Sequence, residues 1–295
     1  MEVLVTGGTG FVGSRLCAEL DDRGHEVVAF ARDPESGDVP AGVATTRGDV
    51  TDVEAVTDAV EGMDAVVNLV AVSPLTRPKG GEVMHDRVTR AGTENCVVAA
   101  EAAGVDRFVQ QSGIHADPNG PTAYLRAKGR AEVLVRESDL DHVVVRPTTI
   151  FGDGGEFVPF VKLVAPPYLT PLPGGGTTQF QLIWVEDFVP MLADAVEDDA
   201  HVGHTYELGG PDVLTLARVA ELVHRADGRS STTIPVPMSL VGLGMTLGSY
   251  VPGFPFGPDQ FRSLQMDLVT DENALDAFGV DPSALRTFSD YLGFA

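Results

Sequence analysis

The sequence predicts an α/β fold, a doubly wound parallel sheet followed by a small, irregular C-terminal lobe. Three observations lead there. Short β-branched runs alternate with longer helical stretches through the first 150 residues. The first of those runs leads straight into a glycine-rich turn. Beyond Ile150 the alternation gives way to segments punctuated by proline and glycine.

Taken in order, strands are expected at Glu2–Thr6, His25–Ala31, Val43–Thr46, Asp64–Val70, Arg107–Gln111 and His142–Arg146. Helices are expected near Gly10–Arg23, Val53–Val60, Glu82–Ala103 and Thr122–Glu137. Strands and helices alternating at this spacing imply right-handed crossovers and a sheet covered on both faces. Residues 1–150 are read as one domain. Residues 151–295 are read as a smaller lobe, interleaved with the first and not folding independently, that closes the cleft. Within the lobe, Ala165–Thr178 reads as a loop, and Phe180–Phe188 as a short strand with the only tryptophan, Trp184. A helix, the stretch His204–Gly210 and a further helix from about Leu214 complete it.

Composition narrows the classes of function. The chain has 43 acidic and 20 basic residues, a formal charge of −23, yet 43% of its residues are hydrophobic. That apolar fraction argues against disorder. Only Lys79, Lys128 and Lys162 are lysines. Self-repulsion on this scale is tolerated where salt screens it, so the surface is read as that of a salt-adapted cell. No basic patch offers itself to nucleic acid. Cys17 and Cys96 fall in helices without a CxxC pattern and read as buried free thiols of a reducing compartment. Neither the basic start of a signal peptide nor an apolar run of about 20 residues is found, so a cytoplasmic protein without a transmembrane segment is expected.

"VLVTGGTGFVG" (Val3–Gly13) holds G-x-G-x-x-G at Gly8, Gly10 and Gly13, with Gly7 extending it. Glycines there permit the tight turn, the close approach of a pyrophosphate and the packing of helix on strand. The following helix presents its N–H groups to phosphates. Dinucleotide binding follows. The second strand ends at Ala31 and Arg32, where an NAD site usually places an acid. The forked donors of Arg32 suit a 2′-phosphate, and Asp33 stands one step late, so NADP(H) is favoured over NAD(H). Asp49, in "GDVTD" (Gly48–Asp52), is placed to meet the adenine. The candidate cofactor residues are Gly7, Gly8, Thr9, Gly10, Phe11, Val12, Gly13, Arg32, Asp49, Val50, Val70, Lys128, Pro147 and Thr148.

Tyr124 and Lys128 stand four apart on one helical face after the fifth strand. An ammonium beside a phenol is expected to lower its pKa from about 10 toward neutrality, where tyrosine acts as acid or base. Ser112 is placed to hold a substrate oxygen.

With these motifs on the page, the chain resembles the short-chain dehydrogenase/reductase superfamily in its extended and atypical branches. "TGGTGFVG", "GDVTD", "AGTEN", "YLRAK", "RPTTIFG" and "IWVEDF" occur in the order those proteins show. "NLVAVSP", "AAEAAGVDRFVQQS" and "ADPNGPTAYLRAKGRAE" are most similar to the relatives of the NADPH-binding accessory subunit of respiratory complex I. The resemblance implies Tyr124 and Lys128 as the acid–base pair, with Lys128 also on the nicotinamide ribose and Arg146–Thr149 bordering the nicotinamide. In two places the chain departs from the pattern. Thr89 stands where extended enzymes usually carry an asparagine, and Ser112 lies only 12 residues before Tyr124.

Weaker features have bland and sharp readings. His201 and His204 read as surface or satisfied histidines rather than metal ligands, and no metal site is expected. His115 reads as a loop residue or as one facing the nicotinamide pocket. Asp153 and Glu156 read as turn and helix-start residues or as substrate contacts. Pro237–Phe256 is strongly apolar. It reads as a helix buried in the lobe, or as a docking face for a respiratory-complex partner, a quinone or a membrane surface.

The leading expectation is an NAD(P)-binding oxidoreductase moving a hydride to or from a carbonyl or alcohol carbon of a small molecule. Two alternatives stand beside it. One is a non-catalytic NADPH-binding accessory or assembly subunit of a respiratory NADH:quinone oxidoreductase, peripheral at the membrane through its partner. The other is a sugar-nucleotide epimerase or dehydratase that recycles its cofactor in place.

Overall fold

Valine-rich runs too short to be buried as helices line up as the strands of the main sheet. The computed structural model describes residues 1–37, 39–251 and 253–294, in two compact units. The first comprises Met1–Val72, Gly80–Arg146 and Glu186–Glu207. Its strands are β1 (Glu2–Thr6), β2 (Glu26–Ala31), β3 (Ala44–Arg47), β4 (Ala65–Asn68), β5 (Arg107–Gln111) and β6 (Asp141–Pro147). Thr205–Leu208 adds a seventh, and the order is Thr205–Leu208, β6, β5, β4, β1, β2, β3. All pairings among β1–β6 are parallel. The chain winds outward in one direction from β1 and in the other from β4. Ligands of such sheets bind outside the carboxyl ends of the strands at that reversal.

Four helices connect these strands: α1 (Gly13–Asp22), α2 (Val53–Val60), α3 (Ala91–Ala103) and α4 (Ala123–Glu137). Asp52 caps α2 through Glu54 and Ala55 N–H, and Thr122 caps α4 through Leu125 N–H. On one face of the sheet Leu4, Phe30, Val66, Phe108 and Val144 pack against Val56, Val60, Cys96, Val97 and Val135. Both cysteines are free and buried, and burial pushes each thiol up to about 12.

Among the element boundaries that differ from expectation, two bear on the site. The expected helix Glu82–Ala103 divides into a π-helical stretch, His85–Arg90, followed by α3. The expected strand Asp64–Val70 stops at Asn68, whose side chain is taken up by a buried polar ladder. Thr6 Oγ1 donates to Asn68 Oδ1 at 2.6 Å, and Asn68 Nδ2 donates to Thr93 Oγ1 and Gln110 Oε1, both at 2.9 Å.

The second unit comprises Ser73–Lys79, Pro147–Val185 and Leu208–Ala295. A three-stranded sheet has Gln179–Trp184 between Val213–Thr215 and Thr149–Phe151. Phe151, Phe157, Leu172, Phe180, Leu216, Val223 and Phe288 form its core. The stretch expected as a loop, Ala165–Thr178, contains a strand at Tyr168–Pro173 that pairs in parallel with Ser231–Val236. Two strands make a sheet with nothing but edges, and edges tolerate prolines such as Pro171, Pro173 and Pro235.

The apolar stretch Pro237–Phe256, of which Pro252 lies outside the described residues, is also corrected. Its helix, Met238–Gly248, buries no residue. Leu240, Leu243 and Leu247 are 57–60% exposed along one stripe. Apolar composition alone suggested burial, but the helix follows an edge strand and finds no core of its own. No helix among the described residues is long and apolar enough to cross a membrane.

Candidate cofactor and catalytic site

β1 ends at Thr6, and the chain turns on Gly7, whose φ of +73° suits glycine. Gly10 N–H donates to Gly7 O at 2.9 Å, closing the turn. A Cβ on Gly8 would meet the Ala29 Cβ at 2.6 Å, and one on Gly13 would meet Gly7 O at 2.1 Å and Gly8 Cα at 2.8 Å. The backbone therefore packs too closely for any side chain at either position. Val12 stands at the N-cap of α1 without a side-chain cap, and no acidic residue occupies the first turn. The positive end of this helix is thus left to a ligand's phosphates. These features fit the pyrophosphate of a dinucleotide. Around the turn, Val70 packs over Gly7, Thr9 faces Gly37, and Arg15 lies 4.9 Å over the Phe11 ring.

At the ends of β2 and β3 the structure adds a residue that sequence reasoning missed. Ala31 pairs with Arg47 across the two strands. Arg47 donates to Arg32 O at 3.2 Å and reaches Asp33 Oδ1 at 3.5 Å. Two exposed arginines, Arg32 and Arg47, therefore stand where the second strand ends, and of these Arg47 reaches the Asp33 carboxylate. Only the pairing of β2 with β3, invisible in the sequence, brings Arg47 there. Asp49 accepts from Thr51 N–H and Oγ1 at 2.9 and 2.8 Å. Val50 is buried beneath Gly92, and its carbonyl accepts from Asn95.

Ser112, Tyr124 and Lys128 come together on the end of β5. Lys128 is only 1% exposed, and its Nζ donates to Gln111 O at 2.7 Å. The Tyr124 hydroxyl lies 3.2 Å from where a Gly113 Cβ would stand. Ser112, between them, is buried and donates its N–H to Val145 O. The polar ladder reaches this point too, because Gln110 Nε2 also donates to Gln111 O at 2.9 Å. Ladder and lysine thus converge on one carbonyl.

The electrostatics differ from the sequence expectation. Burial pushes the Tyr124 phenol up to about 12, the opposite of the expected lowering. The ammonium meant to stabilise the phenolate is turned to Gln111 O. Burial also pulls Lys128 down to about 8, opposed by Glu132 four residues on. Glu132 is fully buried. Burial alone would raise its pKa, but the Arg146 fork at 2.8 and 2.7 Å, Ser112 and Arg136 outweigh it and hold the carboxyl below its usual range. Sequence reasoning passed over this buried ion pair.

Lys128→Met is accordingly expected to stabilise the chain by about 2 kcal/mol near neutral pH. Keeping this ammonium charged in the fold, at about 8 against an ordinary 10.5, costs about 3 kcal/mol. Losing its hydrogen bond returns about 1 kcal/mol of that gain. Between about pH 8 and 10 the unfolded chain holds the proton longer, so the parent gains stability as pH rises and the difference shrinks. Urea denaturation of both proteins across that window checks this; a pH-independent difference would sink it.

The remaining candidates are placed as follows. Pro147 ends β6, and Thr148 N–H donates to Leu208 O in the second unit. Thr89 is buried in the π-helical stretch, its carbonyl accepting from Thr93 Oγ1. His115 is exposed, at a φ of +61°. Asp153 accepts from the Tyr291 hydroxyl at 2.7 Å, and Glu156 sits at a helix N-cap without a cap bond. His201 is buried with Nδ1 3.1 Å from the Tyr206 hydroxyl, whereas His204 is exposed. No group of three metal-ligating side chains gathers among the described residues.

Fold and glycine turn together define a dinucleotide-binding α/β protein. A family model described as NAD(P)H-binding matches residues 7–159. The chain belongs to that family, within the extended short-chain dehydrogenase/reductase superfamily. It is 29% identical over 290 residues to the mitochondrial NADH dehydrogenase (ubiquinone) 1 alpha subcomplex subunit 9 of Arabidopsis thaliana, spanning 92% of this chain and 71% of that protein. It is 31% identical to the low-salt glycan biosynthesis protein Agl12 of Haloferax volcanii, spanning 79% of this chain and 85% of that one. Among solved structures it is similar to a double mutant of the dTDP-glucose 4,6-dehydratase DesIV of Streptomyces venezuelae with NAD and DAU bound. The TM-score there is 0.77 at 20% identity, over 100% of this chain and 95% of that one, a likeness of fold alone.

Proposed function

We propose that this protein is an NAD(P)-dependent oxidoreductase that exchanges a hydride with a carbonyl or alcohol carbon of a small molecule, with NADP(H) preferred. The observation that supports it most is the gathering of Ser112, Tyr124 and Lys128 around the Gln111–Gly113 end of β5. When bound, the cofactor supplies or accepts the hydride at its nicotinamide ring. Gly7–Gly13 and the N-terminus of α1 hold the pyrophosphate, and Lys128 holds the nicotinamide ribose. In reduction the Tyr124 hydroxyl gives its proton to the carbonyl oxygen; in oxidation it takes that proton back. Ser112 holds the same oxygen, and Pro147 and Thr148 border the nicotinamide. The charge of −23 fits a cytoplasm rich in salt.

NADP(H) preference rests on Arg32 and Arg47, whose forked donors suit a 2′-phosphate. Arg32→Ala with Arg47→Ala is expected to weaken NADPH binding about 10- to 100-fold and to leave NADH binding nearly unchanged. Titration in molar KCl, followed through Trp184 and cofactor fluorescence, checks this. Equal losses for both cofactors would remove the 2′-phosphate role. The same samples, tested against a panel of carbonyls and quinones, test the main reading through cofactor oxidation.

The second reading keeps NADPH as a structural ligand in an accessory subunit of a respiratory NADH:quinone complex. Similarity to the Arabidopsis subunit along 92% of the chain supports it, as does the exposed apolar helix Met238–Gly248, which suits a protein partner or a quinone. Bound NADPH would then stabilise the fold by about 2.7 kcal/mol at a hundredfold excess over its Kd. Tight binding, a silent panel and co-purification with membrane complexes would favour this version. An epimerase or dehydratase would use the same residues and return the cofactor unchanged.

A further inference from the structure

His85 belongs to none of the motifs read above, yet it lies against the tyrosine on which the functional reading rests. It is 1% exposed, on the π-helical stretch His85–Arg90. Its ring meets that of Tyr124 edge to face, with centroids 5.8 Å apart and planes at 75°. Its Nε2 lies 3.5 Å from Oε2 of Glu82, one turn earlier. One nitrogen edge of the imidazole is therefore directed at a carboxylate while the ring packs on the phenol.

We propose that His85, oriented by Glu82, is a positioning residue for Tyr124. It holds the phenol ring in the orientation that brings its hydroxyl over Gly113, and it brings an imidazole–carboxylate pair against that ring. The proposal rests on the reading that Tyr124 moves the proton. Packing alone does not call for this residue. A phenylalanine would fill the same edge-to-face contact without the cost of burying an imidazole and a carboxylate. The backbone also departs from regular helix here, as it often does at functional sites. The π-helical register turns both His85 and Thr89 inward.

The charged groups on the elements packed near the tyrosine are placed by their own partners. Lys128 lies on its own helix with Nζ at Gln111 O, and the end of β5 offers the Gly113 backbone. Asp86, next to His85, is turned away to Arg90 at 3.1 Å and Arg130 at 3.6 Å. Glu82 and His85 bring a titratable pair against this side of the ring.

The test uses the full chain without cofactor, with difluorotyrosine, fluorinated on both sides of the hydroxyl, placed at position 124. Fluorine NMR then reports whether the ring is held, as two separate lines, and how its hydroxyl ionises. The parent is expected to show two lines. His85→Phe should keep both lines but move the ionisation constant by about threefold or more. His85→Ala should merge the lines as the ring turns freely. Two lines with an unchanged constant in His85→Phe would make the imidazole a space-filler and overturn the proposal, and so would two lines in His85→Ala. Should His85→Phe not fold, Glu82→Gln decides: it leaves the imidazole in place, and an unchanged constant there overturns the proposal as well. An NADPH titration of the parent runs alongside. Failure to bind strikes the functional reading, whereas the hold of His85 on the Tyr124 ring is judged separately by the fluorine signals, which need no cofactor.

Discussion

Tyr124→Phe is expected to cut carbonyl reduction by about 100- to 10,000-fold while leaving NADPH affinity within about twofold. The change removes one oxygen and keeps the ring that His85 packs against, so binding and fold are spared. The pH profile carries a second expectation. With the phenol pushed up to about 12, Tyr124 keeps its proton at neutral pH, the form expected to serve as the acid in reduction. Lys128, pulled down to about 8, loses its positive charge above that value. Reduction is therefore expected to fall as pH rises through about 8, and Lys128→Met should lack that fall. Kcat/KM across the range, with the substrate found in the panel, measures both. Turnover retained by Tyr124→Phe would remove the proton role from this residue.

Gly13→Ala is expected to weaken NADPH binding at least about 100-fold and to destabilise the chain by about 1–3 kcal/mol. The new Cβ would fall 2.1 Å from Gly7 O, and no side chain can yield there because both neighbours are backbone. The turn must open, which moves the N-terminus of α1 away from the place where phosphates would sit. Gly10→Ala makes a useful contrast, since its Cβ would meet Gly7 O at 3.1 Å, a contact that a small shift relieves. Fluorescence titration and thermal unfolding of both variants test the ranking. Equal effects would mean that crowding at Gly13 is not what demands glycine.

What the sequence disclosed was local. A strand, a glycine turn and an amphipathic helix announce themselves in succession between Glu2 and Asp22, and the i, i+4 spacing of Tyr124 and Lys128 needs only a helix. What it concealed depends on partners far along the chain. Arg47 gains meaning only when β3 pairs with β2. The prolines of Tyr168–Pro173 read as a loop until Ser231–Val236 supplies the other half of a two-stranded sheet. His85–Arg90 carries a single apolar residue, Val88, too little to show a period of its own, so the π-helical stretch is hidden inside a longer expected helix. The direction of the Tyr124 shift was missed because burial is a property of the packed core, whereas spacing showed only that an ammonium is near.

The polar ladder through Thr6, Asn68 and Gln110 bears on how these strands find one another. β1 and β4 are rich in valine, and β5 places Phe108 and Val109 against them; parallel apolar stretches of that kind can slide past each other with little loss of apolar contact. A slip breaks the match between Thr6, Asn68 and Gln110 and leaves two buried amides without partners, at about 1–3 kcal/mol for each unsatisfied group. The apolar residues thus supply the attraction, and three polar side chains select the alignment. Because Gln110 and Lys128 share the Gln111 carbonyl, the alignment that satisfies the ladder is also the one that delivers the lysine. A slipped alignment would lose the lysine's anchor together with the ladder.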